Sequence, residues 1–305
     1  AMLYEGRIVE MGTFQQIQCS KHPWISAFVN VGGSGRMGEQ GAGSDASGLV
    51  GDPPVDDIPQ GPVVRIEGLN KSFGGRQVLK GVELSVLPGK ITVIIGGSGS
   101  GKSVIIKHIM GLLTPDSGVI EVFGKDLVKS SHSQIREVRS QFGMLFQNSA
   151  LFDSMTVWDN IAFPLIERGL ARGDEVVERV EEIVGQLHIG ELAQRFPAEI
   201  SNGQRKRVAL ARAMITRPRV MIYDEPTTGQ DPVMIQNVDN MIEEAQATFD
   251  ITSIVISHDM VSTFRIADRV AMLHEGEIVA YGTPAQVRSS QDQRVREFIF
   301  AGDSN

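Results

Sequence analysis

The sequence lacks most features of secreted and membrane-spanning proteins. Cys19 is the one cysteine among 305 residues, which excludes an internal disulfide and a cysteine-rich metal site. A single cysteine also fits a reducing compartment. No uncharged apolar run approaches the roughly 20 residues that span a bilayer, and no basic-then-apolar signal segment opens the chain. We therefore expect a cytoplasmic protein that meets any membrane through a partner.

Net positive charge is also missing. The chain has 29 Lys and Arg against 37 Asp and Glu, a formal net charge of −8. This balance disfavours sequence-independent binding to nucleic acid or anionic lipid, because both require a basic face. The apolar fraction of 41% is enough to fill a sizeable core, and the length allows two domains or one large α/β unit.

Glycine, in contrast, is abundant and unevenly placed. Residues 31–62 hold 9 of the 33 glycines and 4 of the 13 prolines, and they include no aromatic residue. Such a segment cannot bury enough apolar area to offset the entropy lost on ordering. We predict a flexible linker over residues 31–62.

The chain begins with what resembles a second copy of its own ending. Residues 1–30 align without a gap to residues 271–300, with 12 of the 30 positions identical. We interpret residues 1–30 as the remnant of a preceding domain of the same kind. A fragment of a tandem polypeptide and a degenerate duplication are both open as its origin.

From residue 63 onward, apolar strands alternate with amphipathic helices, which predicts a mainly parallel sheet covered on its faces. The predicted strands are 63–66, 91–95, 118–122, 220–223, 253–256 and 270–273. The predicted helices are 102–113, 175–187, 203–216 and 234–247.

A glycine-rich loop between the strand at 91–95 and the helix from 102 fits the pattern G-x-x-x-x-G-K-[ST]. Its glycines let backbone N–H groups point at phosphate, and the helix N-terminus adds positive potential. An unrelated Gly/Ser-rich loop is the alternative, which the flanking strand and helix disfavour. Lys102 would contact the β- and γ-phosphates and Ser103 would bind Mg²⁺. The predicted nucleotide-binding residues are Gly96, Gly97, Ser98, Gly99, Ser100, Gly101, Lys102 and Ser103.

Two adjacent carboxylates, Asp224 and Glu225, end the apolar strand at 220–223. Ligands bind at the carboxyl edge of such sheets. Asp224 is the predicted Mg²⁺ ligand, directly or through water, and Glu225 the predicted general base for the attacking water. A solvated turn is the alternative for such a pair found alone.

Further motifs resemble those of ABC ATPases, which bind and hydrolyse ATP. The resemblance covers residues 63 to about 300. It implies an α/β fold: a P-loop NTPase core with a mainly parallel sheet, an antiparallel β part and an inserted α-helical subdomain. That subdomain would span about 148–215, and a C-terminal tail about 288–305. The matching positions are Ser201, Asn202, Gly203 and Gln204 for the signature, Gln147 for the Q-loop, 228–232 for the D-loop with Asp231, His258 for the switch histidine, and Phe73 for the aromatic that stacks on adenine.

The resemblance implies a homodimer that buries two ATP with Mg²⁺, each phosphate loop completed by the signature of the other protomer. Gln147 would then sense Mg²⁺ and water, and His258 would contact the γ-phosphate, although a lone histidine after a strand is more often a surface residue. Asn202 departs from the glycine usual there, which puts the local backbone in question and predicts a competent but slower site. Phe73 replaces the commoner tyrosine and keeps the ring for stacking.

Residues 144–165, Gln230 and the ending 292–299 look like those of Mla-type ATPases, which serve lipid traffic with MCE-domain proteins. The implied partners are a membrane permease docking near 148–165 and an MCE-type lipid-binding protein, with no nucleic acid. The implied location is the cytoplasmic face of the inner membrane, as a peripheral protein. Other importers, such as one for polar amino acids, and non-transport ABC ATPases stay open, and a small-molecule kinase is disfavoured by the signature.

Two apolar segments each allow two interpretations. The cluster of Leu151, Phe152, Met155, Val157, Trp158 and Phe163 is either a partner groove or ordinary core. Residues 288–300 are either a clasp on the partner ATPase, anchored by Val295, Phe298 and Ile299, or a final helix packed on its own domain.

Overall fold

The computed structural model describes residues 61–302 and two short strands near the start, β1 (Met2–Tyr4) and β2 (Arg7–Glu10). The predicted linker lies almost entirely outside the described residues, as does most of the predicted remnant at 1–30. The chain divides into two units, residues 1–51 and 52–305. In the first unit, β1 and β2 form an antiparallel pair.

In the second unit, strands and helices alternate along most of the chain. The strands are β3 (Val64–Phe73), β4 (Arg76–Val86), β5 (Ile91–Ile95), β6 (Ser117–Val122), β7 (Lys125–Asp126), β8 (Phe142–Leu145), β9 (Val220–Asp224), β10 (Thr252–Ser257), β11 (Arg269–His274) and β12 (Glu277–Gly282). The helices are α1 (Lys102–Ile109), α2 (His132–Ser140), α3 (Val157–Glu167), α4 (Asp174–Gln186), α5 (Asn202–Met214), α6 (Pro232–Phe249), α7 (Met260–Ile266), α8 (Pro284–Arg288) and α9 (Gln293–Gly302). None of these described helices is both long and apolar enough to cross a membrane.

Two sheets organise this unit. One has six strands in the order β12-β11-β5-β10-β9-β8, parallel except for the β11–β12 pair. The other is antiparallel, in the order β4-β3-β6-β7. β5 and β10 are buried along their whole length, as expected for parallel strands covered on both faces. The predicted α/β fold, with a mainly parallel sheet and an antiparallel part, is confirmed.

Two apolar clusters fill the space around the six-stranded sheet. One lies between the two sheets and includes the buried face of α1, and the other joins the opposite face of the sheet to α3, α4 and α5. Those three helices lie within the predicted helical subdomain. Its first helix, α3, begins at a capping box formed by Thr156 and Asp159, which satisfies backbone N–H groups at the helix start.

The structure ends the first predicted helix early. Helix α1 stops at Ile109 rather than 113, because Gly111 has a left-handed backbone (φ +62°) and packs where a Cβ would lie 2.5 Å from Ile135 Cγ2. Strands β4, β7 and β8 and helices α2, α3, α7 and α8 are not among the elements predicted from the sequence. β8 has only four residues, one of them Gly143, which leaves little pattern to detect.

The C-terminal helix α9 packs on its own domain. Val295 is fully buried, Ile299 is 9% exposed and Phe298 packs against the same apolar cluster. The three residues named as clasp anchors are therefore engaged within the chain. The structure favours the second interpretation of residues 288–300, a final helix packed on its own domain.

The pairing of β1 with β2 matches the pairing of β11 with β12. Leu3 faces Ile8 and Tyr4 faces Arg7, with a register shift after Met2. The aligned residues do the same: Leu273 faces Ile278 and His274 faces Glu277, with a shift after Met272. The two described strands thus share the register irregularity of the segment they align with, and the interpretation of residues 1–30 as a remnant domain stays a prediction.

Candidate nucleotide site

The phosphate loop joins the end of β5 to the start of α1, and two of its glycines are required by space and by backbone angle. Gly96 has φ +153°, and a Cβ there would lie 2.2 Å from the carbonyl oxygen of Leu273. Gly101 has φ +111°, and a Cβ there would lie 2.8 Å from Leu79 Cδ2. The loop is thus pressed against β11 and β4, which fixes its curvature before any ligand binds.

Lys102 is held inside this loop. Its side-chain Nζ donates to the carbonyl oxygens of Gly96 at 2.8 Å and Gly97 at 3.0 Å. Burial lowers the pKa of Lys102, and the negative charges of Glu225 and Asp224 act in the opposite direction. The ammonium group therefore lies within electrostatic range of both carboxylates.

Asp224 and Glu225 stand at the carboxyl end of β9, as the sequence predicts. Burial raises the pKa of Asp224, the charge of Glu225 raises it further, and Lys102 opposes both. Glu225 has a left-handed backbone (φ +48°), and its N–H donates to Ile256 O at 3.0 Å. Thr228 Oγ1 donates to Glu225 Oε2 at 3.0 Å. An uncommon conformation held by these bonds aims the carboxylate.

His258 meets Glu225 because β9 and β10 are parallel neighbours whose carboxyl ends lie at the same edge. The His258 Nδ1 atom is 3.6 Å from Glu225 Oε2, and the ring is 52% exposed. The next residue, Asp259, caps α7 by accepting from Ser262 N at 2.9 Å. The histidine therefore follows a buried strand, precedes a capped helix and faces an open site.

The signature segment begins α5. Ser201 Oγ accepts from Gln204 N at 3.3 Å, and Gln204 Oε1 accepts from Ser201 N at 2.9 Å, which forms a capping box. Asn202 is the first helical residue and is not among the residues with positive φ. The expected backbone difficulty at Asn202 is absent, because this position needs no left-handed conformation. A Cβ on Gly203 would lie 3.3 Å from Met234 Cε.

Signature and D-loop meet in one open groove. Asp231 Oδ1 caps α6 by accepting from Val233 N and Met234 N, both at 3.0 Å. A groove of about 660 Å³ lies between this cap and the start of α5. Its described lining contains no residue of the phosphate loop; it comprises Ser201, Asn202, Gly203, Gln204, Lys206, Arg207, Gly229, Gln230, Asp231, Met234, Asn237, Val238 and Met241.

Gln147 and Phe73 lie on other elements. Gln147 follows β8 with its side chain exposed, and its carbonyl oxygen is 3.5 Å from Lys206 Nζ. Phe73 ends β3 and is 44% exposed, with Lys71 Nζ 5.5 Å from its ring centroid. An exposed ring is available for stacking on a base.

Comparison with known proteins settles the family. Residues 79–228 match the family described as "ABC transporter". The chain is 35% identical over 237 residues to the Haemophilus influenzae protein named "Intermembrane phospholipid transport system ATP-binding protein MlaF", covering 78% of this chain and 90% of that protein. The chain belongs to the ABC transporter ATPase family. It is accordingly an ATP-binding, ATP-hydrolysing transporter subunit.

Other relatives of this ABC ATPase carry different names. The Mycobacterium leprae protein named "Probable ribonucleotide transport ATP-binding protein mkl" is 36% identical over 242 residues, covering 79% of this chain and 70% of the relative. Among solved structures, cbiO1 from Clostridium perfringens has a TM-score of 0.71 at 30% identity, covering 78% of this chain and 94% of its own. The ATP-binding cassette MJ0796, in a dimeric post-hydrolysis state with ADP and Pi, has a TM-score of 0.62 at 27% identity, covering 72% and 98%.

The donor set fits Mg²⁺ bound together with a nucleotide. Ser103 offers an exposed hydroxyl at the start of α1 and Asp224 a half-buried carboxylate. Both are hard oxygen donors, which Mg²⁺ prefers, and phosphate and water would complete its shell. Residues 61–302 contain no group of three His, Cys, Asp or Glu arranged to hold a metal ion on its own.

Two sets of contacts in the site escape prediction from sequence. Thr228 bonds Glu225, and Lys206, which is 4% exposed, contacts backbone at the Q-loop and directly after the acidic pair. Lys206 lies between Arg205 and Arg207, and nothing in that basic run distinguishes the buried lysine from its neighbours. The helical turn that buries it is visible only in the fold.

Proposed function

We propose that this ABC ATPase binds Mg-ATP at its phosphate loop and hydrolyses it with Glu225 as general base and His258 as the residue that orients it. The observation that carries this proposal is the 3.6 Å approach of His258 Nδ1 to Glu225 Oε2 at the sheet edge that also holds Lys102. A base, its orienting partner and a phosphate-binding cation thus lie at one edge.

Each residue has a role that follows from its placement. Lys102, now bonded to loop carbonyls, would exchange them for phosphate oxygens, which carry full negative charge. Backbone N–H groups of the loop bind the phosphates, with Ser103 and Asp224 holding Mg²⁺. When bound, Mg²⁺ neutralises charge on the β- and γ-phosphates. Glu225 takes a proton from the attacking water, and Gln147 contacts the water and the metal ion.

The test is Glu225→Gln, which keeps the shape of the side chain and removes its basicity. We expect turnover to fall by at least about a hundredfold, as for loss of a general base, while ATP binding persists. Glu137→Gln, a change in a surface ion pair with Lys125, is the matched control and should turn over normally. Normal hydrolysis by purified Glu225→Gln would refute the assigned base.

We further propose a homodimer in which the groove at the signature covers the partner's ATP. Two observations support this arrangement: the open groove formed by the signature and D-loop, and the dimeric state of MJ0796 with ADP and Pi. Glu225→Gln should trap the dimer, because bound ATP is not consumed. Light scattering with and without ATP measures this, and a protein that stays monomeric with ATP bound would contradict it.

The proposed cargo is phospholipid, moved by a membrane permease with an MCE-type lipid-binding partner, at the cytoplasmic face of the inner membrane. The coverage of the MlaF relative supports this choice. The name of the mkl relative favours ribonucleotide transport as the second candidate. The permease and substrate-binding protein that co-purify with the full chain in mild detergent decide between them. Extracted phospholipid in that complex supports the first, and a complex without lipid contradicts it.

We propose that the permease docks at the segment after Gln147. Of the six apolar residues there, only Val157 is buried, Phe152 is 41% exposed, and the other four are half-buried. Leu151 and Trp158 pack partly against the apolar core, so the exposed ring of Phe152 is the feature that supports a partner surface here. Asn160, fully buried, fixes the segment: its side chain accepts from Phe152 N and donates to the carbonyls of Phe152, Met155 and Thr156, at 2.8–3.2 Å.

A further inference from the structure

Lys206 is a buried cation on the signature helix. It lies on α5, just past the capping box of Ser201, and only 4% of it is exposed. Among the described residues, its ammonium group contacts backbone carbonyls and no carboxylate. Burial lowers the pKa of Lys206, and no neighbouring charge offsets this effect. An unpaired buried charge is costly, so the fold must compensate for it elsewhere.

The two carbonyls lie at the Q-loop and directly after the acidic pair. One is that of Gln147, 3.5 Å from Nζ, and the other is that of Pro226, which also accepts a bond from Nζ. Pro226 directly follows Glu225, so its carbonyl is part of the turn that holds Glu225 in a left-handed conformation. Lys206 therefore joins the signature helix to the backbone at both the Q-loop and the general base.

This junction connects groups that serve two different nucleotides in the proposed dimer. Ser201 to Gln204, at the start of α5, would face the partner's ATP, whereas Gln147 and Glu225 act on the chain's own ATP. A helix and two loops held by one ammonium group move together, because releasing either carbonyl leaves a buried charge with fewer partners.

We propose that Lys206 is a positioning residue that couples the signature helix to Glu225 and Gln147, so that docking of the signature sets the geometry of hydrolysis. The inference rests on the proposed role of Glu225 and on the proposed dimer. Its failure is separable from theirs, because Glu225→Gln tests the base, light scattering tests the dimer, and Lys206 variants test the placement of the base. Both are assayed on the full chain, side by side.

The main variant is Lys206→Met, which keeps length and apolar volume but removes charge and N–H donors. We expect kcat to fall about tenfold or more, the scale of a lost buried hydrogen bond, with the KM for ATP within about twofold. Lys206→Arg keeps charge and donors and should recover at least half of the lost kcat. Lys129→Met, at a lysine whose side chain is 82% exposed, should behave as the unaltered protein.

A spectroscopic readout separates positioning from simple stability. Trp158 belongs to the proposed docking segment and lies in α3, which packs against the signature helix α5; Trp24 is the other tryptophan. In a Trp24→Phe protein that keeps Lys206, ATP binding should change the fluorescence of Trp158. In the same background with Lys206→Met, nucleotide should still bind but the fluorescence change should be lost.

Two results would overturn the proposal. One is a Lys206→Met kcat within twofold of the unaltered protein. The other is a kcat loss that follows the folded fraction in thermal melts and is not recovered by Lys206→Arg. Should Lys206→Met melt below the assay temperature, Lys206→Gln, which keeps an N–H donor, is measured by the same criteria.

Discussion

The two faces of the proposed nucleotide site differ in how far the chain completes them alone. On the phosphate-loop face, Lys102 is 6% exposed and bonded to its own loop, within range of two carboxylates. On the signature face, Ser201 and Asn202 are exposed and line an open groove. One face is therefore preorganised by the fold, while the other presents a capped, exposed helix start that lines an open groove. Substitution of Lys102 on the first face should act on nucleotide binding, and substitutions on the second face should act on turnover.

The largest effect is expected from Lys102→Ala, on the preorganised face. It removes the cation that binds the phosphates, so ATP affinity should fall about a hundredfold or more, the scale of charge-assisted bonds to phosphate. Equilibrium binding of a fluorescent ATP analogue measures it. Lys90→Ala, in a surface pair with Asp268, is the control. If Lys102→Ala kept its affinity for ATP, the phosphate-loop face would not be the face that governs nucleotide binding, and the contrast with the signature face would be wrong.

Ser201→Ala tests the signature face. Turnover should fall about tenfold while ATP affinity of the protomer stays unchanged, because the lost hydroxyl faces the partner's nucleotide. The helix also loses its cap, which costs about 1 kcal/mol. Ser131→Ala is a matched control, since Ser131 caps α2 with the same kind of capping box. Equal turnover in the two variants would show that Ser201 only stabilises its helix.

Asn202→Gly restores the glycine usual in the family. We expect turnover to rise about two- to threefold, because a side chain is removed from the face that meets the partner's ATP, whereas the backbone is already helical and needs no change. Glycine in a helix costs roughly 0.5–1 kcal/mol, so the melting temperature should fall slightly. Steady-state kinetics and melting curves measure both, and slower turnover would show that the amide is useful.

The smallest expected effect concerns a link between the two faces. Asp239 on α6, 1% exposed, accepts from Ser262 Oγ at 2.5 Å, and Ser262 lies on the helix after His258. Burial raises the pKa of Asp239, and the Ser262 hydroxyl opposes this rise. A raised folded-state pKa means that protonation favours the folded state, so this carboxyl's contribution to stability grows as pH falls.

The variant for this link is Asp239→Asn, which cannot titrate. The melting temperature of the unaltered protein minus that of Asp239→Asn should therefore increase as the pH is lowered from 7 toward 4. Asp250→Asn, at an exposed residue after α6, controls for the loss of a carboxylate. A difference that stays constant with pH would show that Asp239 does not carry the effect.

Sequence reasoning located the phosphate loop, the acidic strand end and the parallel sheet, because each rests on local pattern: apolar strands, glycine spacing and a helix start. It could not locate Lys206, since a buried lysine and an exposed one look alike in a basic run. It also left both interpretations of residues 288–300 open, because Val295 and Ile299 have the same spacing whether they pack on their own domain or on a partner protomer. The sequence also left the backbone conformation at Asn202 in question. The structure answers it, because Asn202 is the first helical residue and has no positive φ angle.

The buried amide of Asn160 has a mechanical consequence. The Asn160 side chain accepts from Phe152 N and shares its two amide hydrogens among three carbonyls, which leaves the segment from Phe152 to Thr156 with little freedom to bend. If the permease docks here as proposed, a displacement of the exposed Phe152 ring would therefore reach the helix that begins at Val157 with little loss to bending of the segment. The helical subdomain would then move with the permease as one body.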